Sequence, residues 1–112
     1  MDEILLKKTF DLKKEIDSLP EVIELKKISE SMKVDKEVQR LVYNKDLCAT
    51  KFNETVRHFG EDSAETKIAQ KALFQAKLDL DNNALVKEYN KQYKIVKKIY
   101  DRVNEEIFDF LN

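Results

Sequence analysis

Toward the end of this chain eight residues, Val86, Tyr89, Tyr93, Val96, Tyr100, Val103, Ile107 and Phe110, follow one another at intervals of 3, 4, 3, 4, 3, 4 and 3. That alternation draws a continuous apolar line down one side of an α-helix, whereas a strand would scatter the same residues over both of its faces. The last segment is therefore expected to be one long helix with a buried seam. Leu85 and Ile99 widen the seam on one side, a breadth that suits a multi-helix bundle better than a two-stranded zipper.

The rest of the chain offers little to interrupt helices. Among 112 residues Gly60 and Pro20 are the only ones of their types, so tight turns and phosphate-cradling loops lack raw material. Leu5, Leu12, Ile16 and Leu19, widened by Leu6 and Phe10, predict an amphipathic helix from Asp2 to about Ser18. Ser18-Leu19-Pro20-Glu21 reads as the start of a second helix, with the Ser18 oxygen accepting from the Glu21 amide, Glu21 reaching back, and Pro20 in the first turn. That helix uses Val22, Ile23, Leu25, Ile28 and Met32, and the serines between Ser29 and Val34 predict a kink or short break.

Asp35 is the expected cap of a third, long helix through Val38, Leu41, Val42, Cys48, Ala49, Phe52, Val56 and Phe59, stopped by Gly60 in a left-handed conformation. Asp62, with Glu65 three residues later, is the expected start of a fourth, whose stripe is Ile68, Ala69, Ala72, Leu73, Ala76 and Leu80. Its alanines let a neighbouring helix approach closely. Asp81-Asn82-Asn83 separates it from the seam helix. The expectation is an all-α bundle of about five helices in a single domain, 1–112, with long third and C-terminal helices and a dimeric state.

Charge narrows the function. Lys and Arg number 21 against 22 acidic residues, for a formal charge of -1, which supplies no global attraction for phosphate backbones or anionic lipid. Lys91, Lys94, Lys97, Lys98 and Arg102 form a basic run on the last helix, interleaved with Tyr93 and Tyr100. The tyrosines belong to the seam and the lysines to other faces, so rings and charges do not converge as a nucleic-acid surface requires. The run reads as a solvated face or a docking patch for an acidic partner; direct RNA binding through it is the alternative.

No catalytic constellation is legible. Cys48 can be read as a nucleophile or as one ligand of a cluster shared between subunits, but its core spacing favours a small hydrophobe with a protonated thiol. His58 falls in the final turn of the third helix, where the helix dipole favours a positive imidazole. One histidine and one cysteine make neither a zinc quartet nor a Cys-His-Asp arrangement. Glu37, Glu54, Glu65, Glu88, Glu105 and Glu106 lie on polar faces, where solvated acids make poor general acids. The chain is expected to be no enzyme, to hold no metal or cofactor, and to work through the seam tyrosines as interface residues, although packing inside one chain would use the same spacing. The opening Met1-Asp2-Glu3 runs soon into Lys7 and Lys8 without an apolar block, so export and membrane spanning are not expected and a cytoplasmic location is.

The layout resembles the YlbF/YmcA family of small helical bacterial proteins, which includes YheA-like members. The resemblance is carried by Ser18-Leu19-Pro20-Glu21 followed by Val22 and Leu25, by Val34-Asp35-Lys36-Glu37-Val38 leading into Leu41, and by the stretch from Asn83 to Ile107 with Tyr89, Ile99 and Val103. It implies an all-helical, dimer-forming, non-enzymatic bundle from low-GC Gram-positive bacteria or their relatives. Some members form a hetero-oligomer that assists the endoribonuclease RNase Y, with effects on mRNA maturation, competence, biofilm formation and sporulation. That assembly binds iron-sulfur clusters through cysteines, some near a subunit's C-terminus, whereas Phe108-Asp109-Phe110-Leu111-Asn112 contains none.

Overall fold

A computed structural model describes residues 3–111, which form five helices: α1 (Glu3–Asp17), α2 (Pro20–Val34), α3 (Lys36–Phe59), α4 (Ala64–Asp81) and α5 (Ala84–Leu111). No strand occurs among the described residues. The all-α architecture and the long third and last helices follow the reading of the sequence; the expected start of the first helix at Asp2 lies outside the described residues. The chain divides into two compact units, Met1–Glu30 with Glu88–Asn112, and Ser31–Lys87.

The first unit is built on α1, most of α2 and most of α5. Its centre is Ile16, Val22 and Val96, all buried, against which Leu12, Leu19, Leu25, Tyr100 and Val103 pack. Gln92 fastens the α2 entrance to α5 by donating from Nε2 to the Glu21 carbonyl at 2.8 Å. Where α1 meets α2, the Ser18 box expected from sequence is not made: the Ser18 hydroxyl donates to the Lys14 carbonyl at 2.9 Å. The first acceptor of α2 is the Leu19 carbonyl, which takes the amides of Val22 and Ile23 at 3.1 and 3.0 Å. Leu19 thus stands at the cap position and Pro20 at the first helical one, so Ser18 lies one residue too early to reach the third amide. Leu6 and Phe10, expected on the buried stripe of α1, are 71% and 60% exposed, because the inward arc of α1 is already filled by Leu5, Leu12 and Ile16, about 100° or more away around the helix.

In the second unit α3 and α4 pack against each other. Val38 and Leu41 on α3, and Thr66, Ala69 and Ala76 on α4, are buried, as is Val86. No break falls between Ser29 and Val34: α2 stays helical to Val34 and is interrupted at Asp35, just beyond the expected segment. Asp35 then caps α3 as its sequence position suggests, with an extended backbone and its carboxylate accepting from the Val38 amide at 2.9 Å. On the other side of the junction Gln39 donates to the Lys33 carbonyl, one of the acceptors that the end of α2 leaves open. Replacing Asp35 with alanine should cost about 0.5–2 kcal/mol of unfolding free energy, with asparagine nearly neutral, as read from urea melts of the three proteins.

The α3–α4 turn is a compact hydrogen-bonded knot. Gly60 ends α3 at φ +86° and ψ 165°, with its amide donating to the Val56 carbonyl. The positive φ is the one the sequence suggested, but ψ carries it past the left-handed helical basin. Ser63, one residue after the expected Asp62, caps α4: its side-chain oxygen accepts from the Thr66 amide at 3.1 Å. The Ser63 hydroxyl lies 2.9 Å from Thr66 Oγ1, and the Thr66 hydroxyl donates to the Gly60 carbonyl at 2.7 Å. Thr66, only 2% exposed, is the reason for the shift: its buried hydroxyl requires a partner, and the Ser63 register supplies two.

Candidate interaction surface

Helix α5 is started by Asn83, whose Oδ1 accepts from the amides of Leu85 and Val86 at 2.9 and 3.2 Å. This cap fixes where the helix begins. Along the seam, Val86 and Val96 are buried, while Tyr89, Tyr100, Val103 and Ile107 are half-buried. Tyr93 and Phe110 remain 49% and 65% exposed. The eight residues therefore share one side of one helix, yet the chain itself covers them unevenly. Tyr89 and Tyr93 stack on each other, ring centres 6.1 Å apart and inclined by 27°, an offset arrangement that aromatic rings favour.

In the first unit the far end of the seam opens into an apolar groove of about 180 Å³, lined by Leu5, Thr9 and Leu12 of α1 and by Ile107 and Phe110 of α5. The ammonium of Lys8 stands 5.2 Å from the centre of the Phe110 ring, within cation–π range. Around this end Ile4, Phe108 and Leu111 are each more than half exposed. Lys8 and Glu106 also line the groove, so two charged residues border its apolar walls.

Lys91, Lys94, Lys97, Lys98 and Arg102 are all exposed; by helical geometry Lys91, Lys94, Lys98 and Arg102 lie on the side of α5 away from the seam, and Lys97 flanks it. Lys97 lies 4.0 Å from Asp101, an exposed pair of small energetic weight. On α3, Arg40 grips Glu37 with Nη2 at 2.6 Å and Nε at 3.1 Å. Those hydrogen bonds hold the Glu37 carboxyl below its ordinary range and raise the Arg40 guanidinium further. Cys48 is half-buried and His58 exposed in the last turn of α3. No group of three or more His, Cys, Asp or Glu positioned for a metal ion is found among the described residues. Nor is any helix there long and apolar enough to cross a membrane.

Reading the sequence for stripes missed a second apolar surface on α4. Ile68 was expected on the buried stripe, but it is 69% exposed, as are Phe74 at 63% and Leu78 at 38%. Ala72, also expected inside, is exposed, leaving Ala69, Leu73, Ala76 and Leu80 on the inner side. The inner stripe is narrow because α3 meets α4 over small residues, and Ile68 falls about 100° from Ala69 around the helix. The signal available in the sequence was Phe74 directly following Leu73, since adjacent residues cannot share a single helix face. On α3 likewise Phe59, expected on the buried stripe, is 58% exposed.

A family model described as "Control of competence regulator ComK, YlbF/YmcA" matches residues 5–112. Neither the curated proteins nor the solved structures provide a match. The match runs through all five helices and the whole α5 seam. With essentially its full length covered by that one model, this chain belongs to the YlbF/YmcA family.

Proposed function

We propose that this chain is a non-catalytic regulatory subunit that acts by helix–helix association, as a homodimer or with related helical subunits, in the cytoplasm. Membership in a family described by its control of a competence regulator supports a regulatory role. The observation that carries the mechanism is the balance of apolar surface. Among the described residues nine apolar side chains are buried, whereas sixteen large ones, Tyr93 and Phe110 of the seam included, are exposed. Isolated exposed apolar residues are ordinary, but a half-covered seam running into an apolar groove is the arrangement of a surface completed by another helix. The proposed wider role, by resemblance to family members that assist RNase Y, is an adaptor in mRNA processing upstream of competence, biofilm and sporulation control.

Sedimentation velocity of the full chain should show a mass above that of one chain at micromolar concentration, falling toward the monomer on dilution. Tyr93→Glu combined with Phe110→Glu should weaken this association at least about tenfold, since each charge would be buried against an apolar partner. A single monomeric species throughout the concentration range would remove the homodimer from the reading. Unchanged association in the double variant would remove the seam from it.

A further inference from the structure

Helix α4 is apolar on two opposite sides. Its inner stripe, Ala69, Leu73, Ala76 and Leu80, is covered or half-covered. At about 100° per residue, Phe74 and Leu78 fall on the far side of the helix from that stripe, with Lys67 and Lys71 on the same arc toward its N-terminus and Ile68 on its flank. Lys67, Gln70, Lys71, Phe74 and Gln75 line a shallow depression there. A helix carrying large apolar residues on both sides is patterned to be packed on both, and here only one side is.

The charges on the outer arc point to what covers the other. Lys67, Lys71 and Lys77 border it, while acid enters only at its end, with Asp81. Asp79 stands to the side, where it accepts from Gln75 at 2.9 Å and lies near enough to Arg40 to act on it electrostatically. We infer that the outer arc of α4 is a docking strip for an amphipathic helix of another protein, whose apolar ridge seats on Phe74 and Leu78 and whose flanking carboxylates meet Lys67 and Lys71. A second copy of this chain fits less well, because it would set a lysine-bordered arc against itself. A nucleic acid fits less well too, since one ring beside an isoleucine and a leucine gives no run of stacking surfaces. This strip is on a different helix from the α5 seam, and its use does not depend on self-association.

The test is fluorescence anisotropy of a labelled synthetic peptide titrated with the full chain. The peptide is a helix of about three heptads with leucine at the a and d positions and glutamate on both flanks; a comparison peptide carries lysine in place of every glutamate. The glutamate peptide should bind at least about tenfold more tightly than the lysine peptide, and binding should weaken as salt is added. Phe74→Ala, and separately the double variant Lys67→Glu with Lys71→Glu, should each weaken it by about tenfold or more. All three positions are exposed, so circular dichroism should show the fold intact. Failure of the glutamate peptide to bind, equal binding of the two peptides, or full affinity in Phe74→Ala would overturn the assignment. So would a labelled single-stranded RNA whose binding falls in these same variants, or a dimer that dissociates on Phe74→Glu, because each gives the arc a different occupant.

Discussion

Truncating Ile16 to alanine should destabilise the protein by about 2–5 kcal/mol, the range for removing a buried branched side chain whose surroundings cannot fully collapse. Ile16 is 5% exposed and is the buried residue of α1, so the attachment of that helix to the core of its unit rests largely on this side chain. It packs in the cluster with Val22 of α2 and Val96 of α5, and shortening it opens space where three helices meet. Against a typical domain stability of about 5–15 kcal/mol the loss is large. At about 4–8 °C per kcal/mol it should lower the melting temperature by roughly 8–40 °C. The matched control is Val34→Ala, at a site 77% exposed, which should stay within about 0.5 kcal/mol of the parent. Both melts are taken at one fixed protein concentration, since self-association adds stability that rises with concentration. Equal, small losses at the two positions would mean that α1 is not packed on this cluster.

The helices were legible because their evidence is redundant. In α5 each seam residue repeats the same statement about period, and a near absence of Gly and Pro removes competing structures. Caps are less redundant. Asp35 was read correctly because no other residue beside it can accept from the Val38 amide, whereas Ser18 and Asp62 were each displaced by one position. Around Asp62 and Ser63 two good capping residues stand side by side, and the choice fell to Thr66, whose need for a hydroxyl partner arises only once it is buried. Local sequence could not contain that fact.

Which side of a helix faces inward was legible where one side is apolar and illegible where two are. Leu12 and Ile16 define α1 adequately, but Leu6 and Phe10 look equally suited to a core and are exposed instead. Ile68 beside Ala69 poses the same problem in α4. In each case the apolar residue left outside belongs to a second stripe, so an amphipathic reading that assumes a single buried side assigns it wrongly. The errors thus collect on apolar side chains that stay exposed. Cys48 and His58, single residues of their types, both fall on α3, as their place in the sequence suggested.

Replacing Gly60 with alanine should cost about 1–3 kcal/mol through the backbone alone. At φ +86° and ψ 165°, Gly60 occupies a region essentially reserved for glycine, where a side chain of L configuration meets its own backbone. Crowding by neighbours is not involved, because a Cβ built at this position meets nothing within 4 Å. That separation of causes makes the site a clean probe. Reflecting the two angles gives a conformation in the ordinary extended basin of an L-residue, so D-alanine introduced at position 60 by chemical ligation fits the turn without strain. It also removes conformations from the unfolded chain, and should stabilise by about 0.4–1 kcal/mol where L-alanine destabilises. Opposite signs for the two enantiomers, measured by urea unfolding, would establish the backbone origin of the effect. Equal losses for both would mean that the α3–α4 turn adopts some other conformation at this residue, and that the hydrogen bonds from Thr66 to the Gly60 carbonyl and from Gly60 to the Val56 carbonyl do not fix its shape.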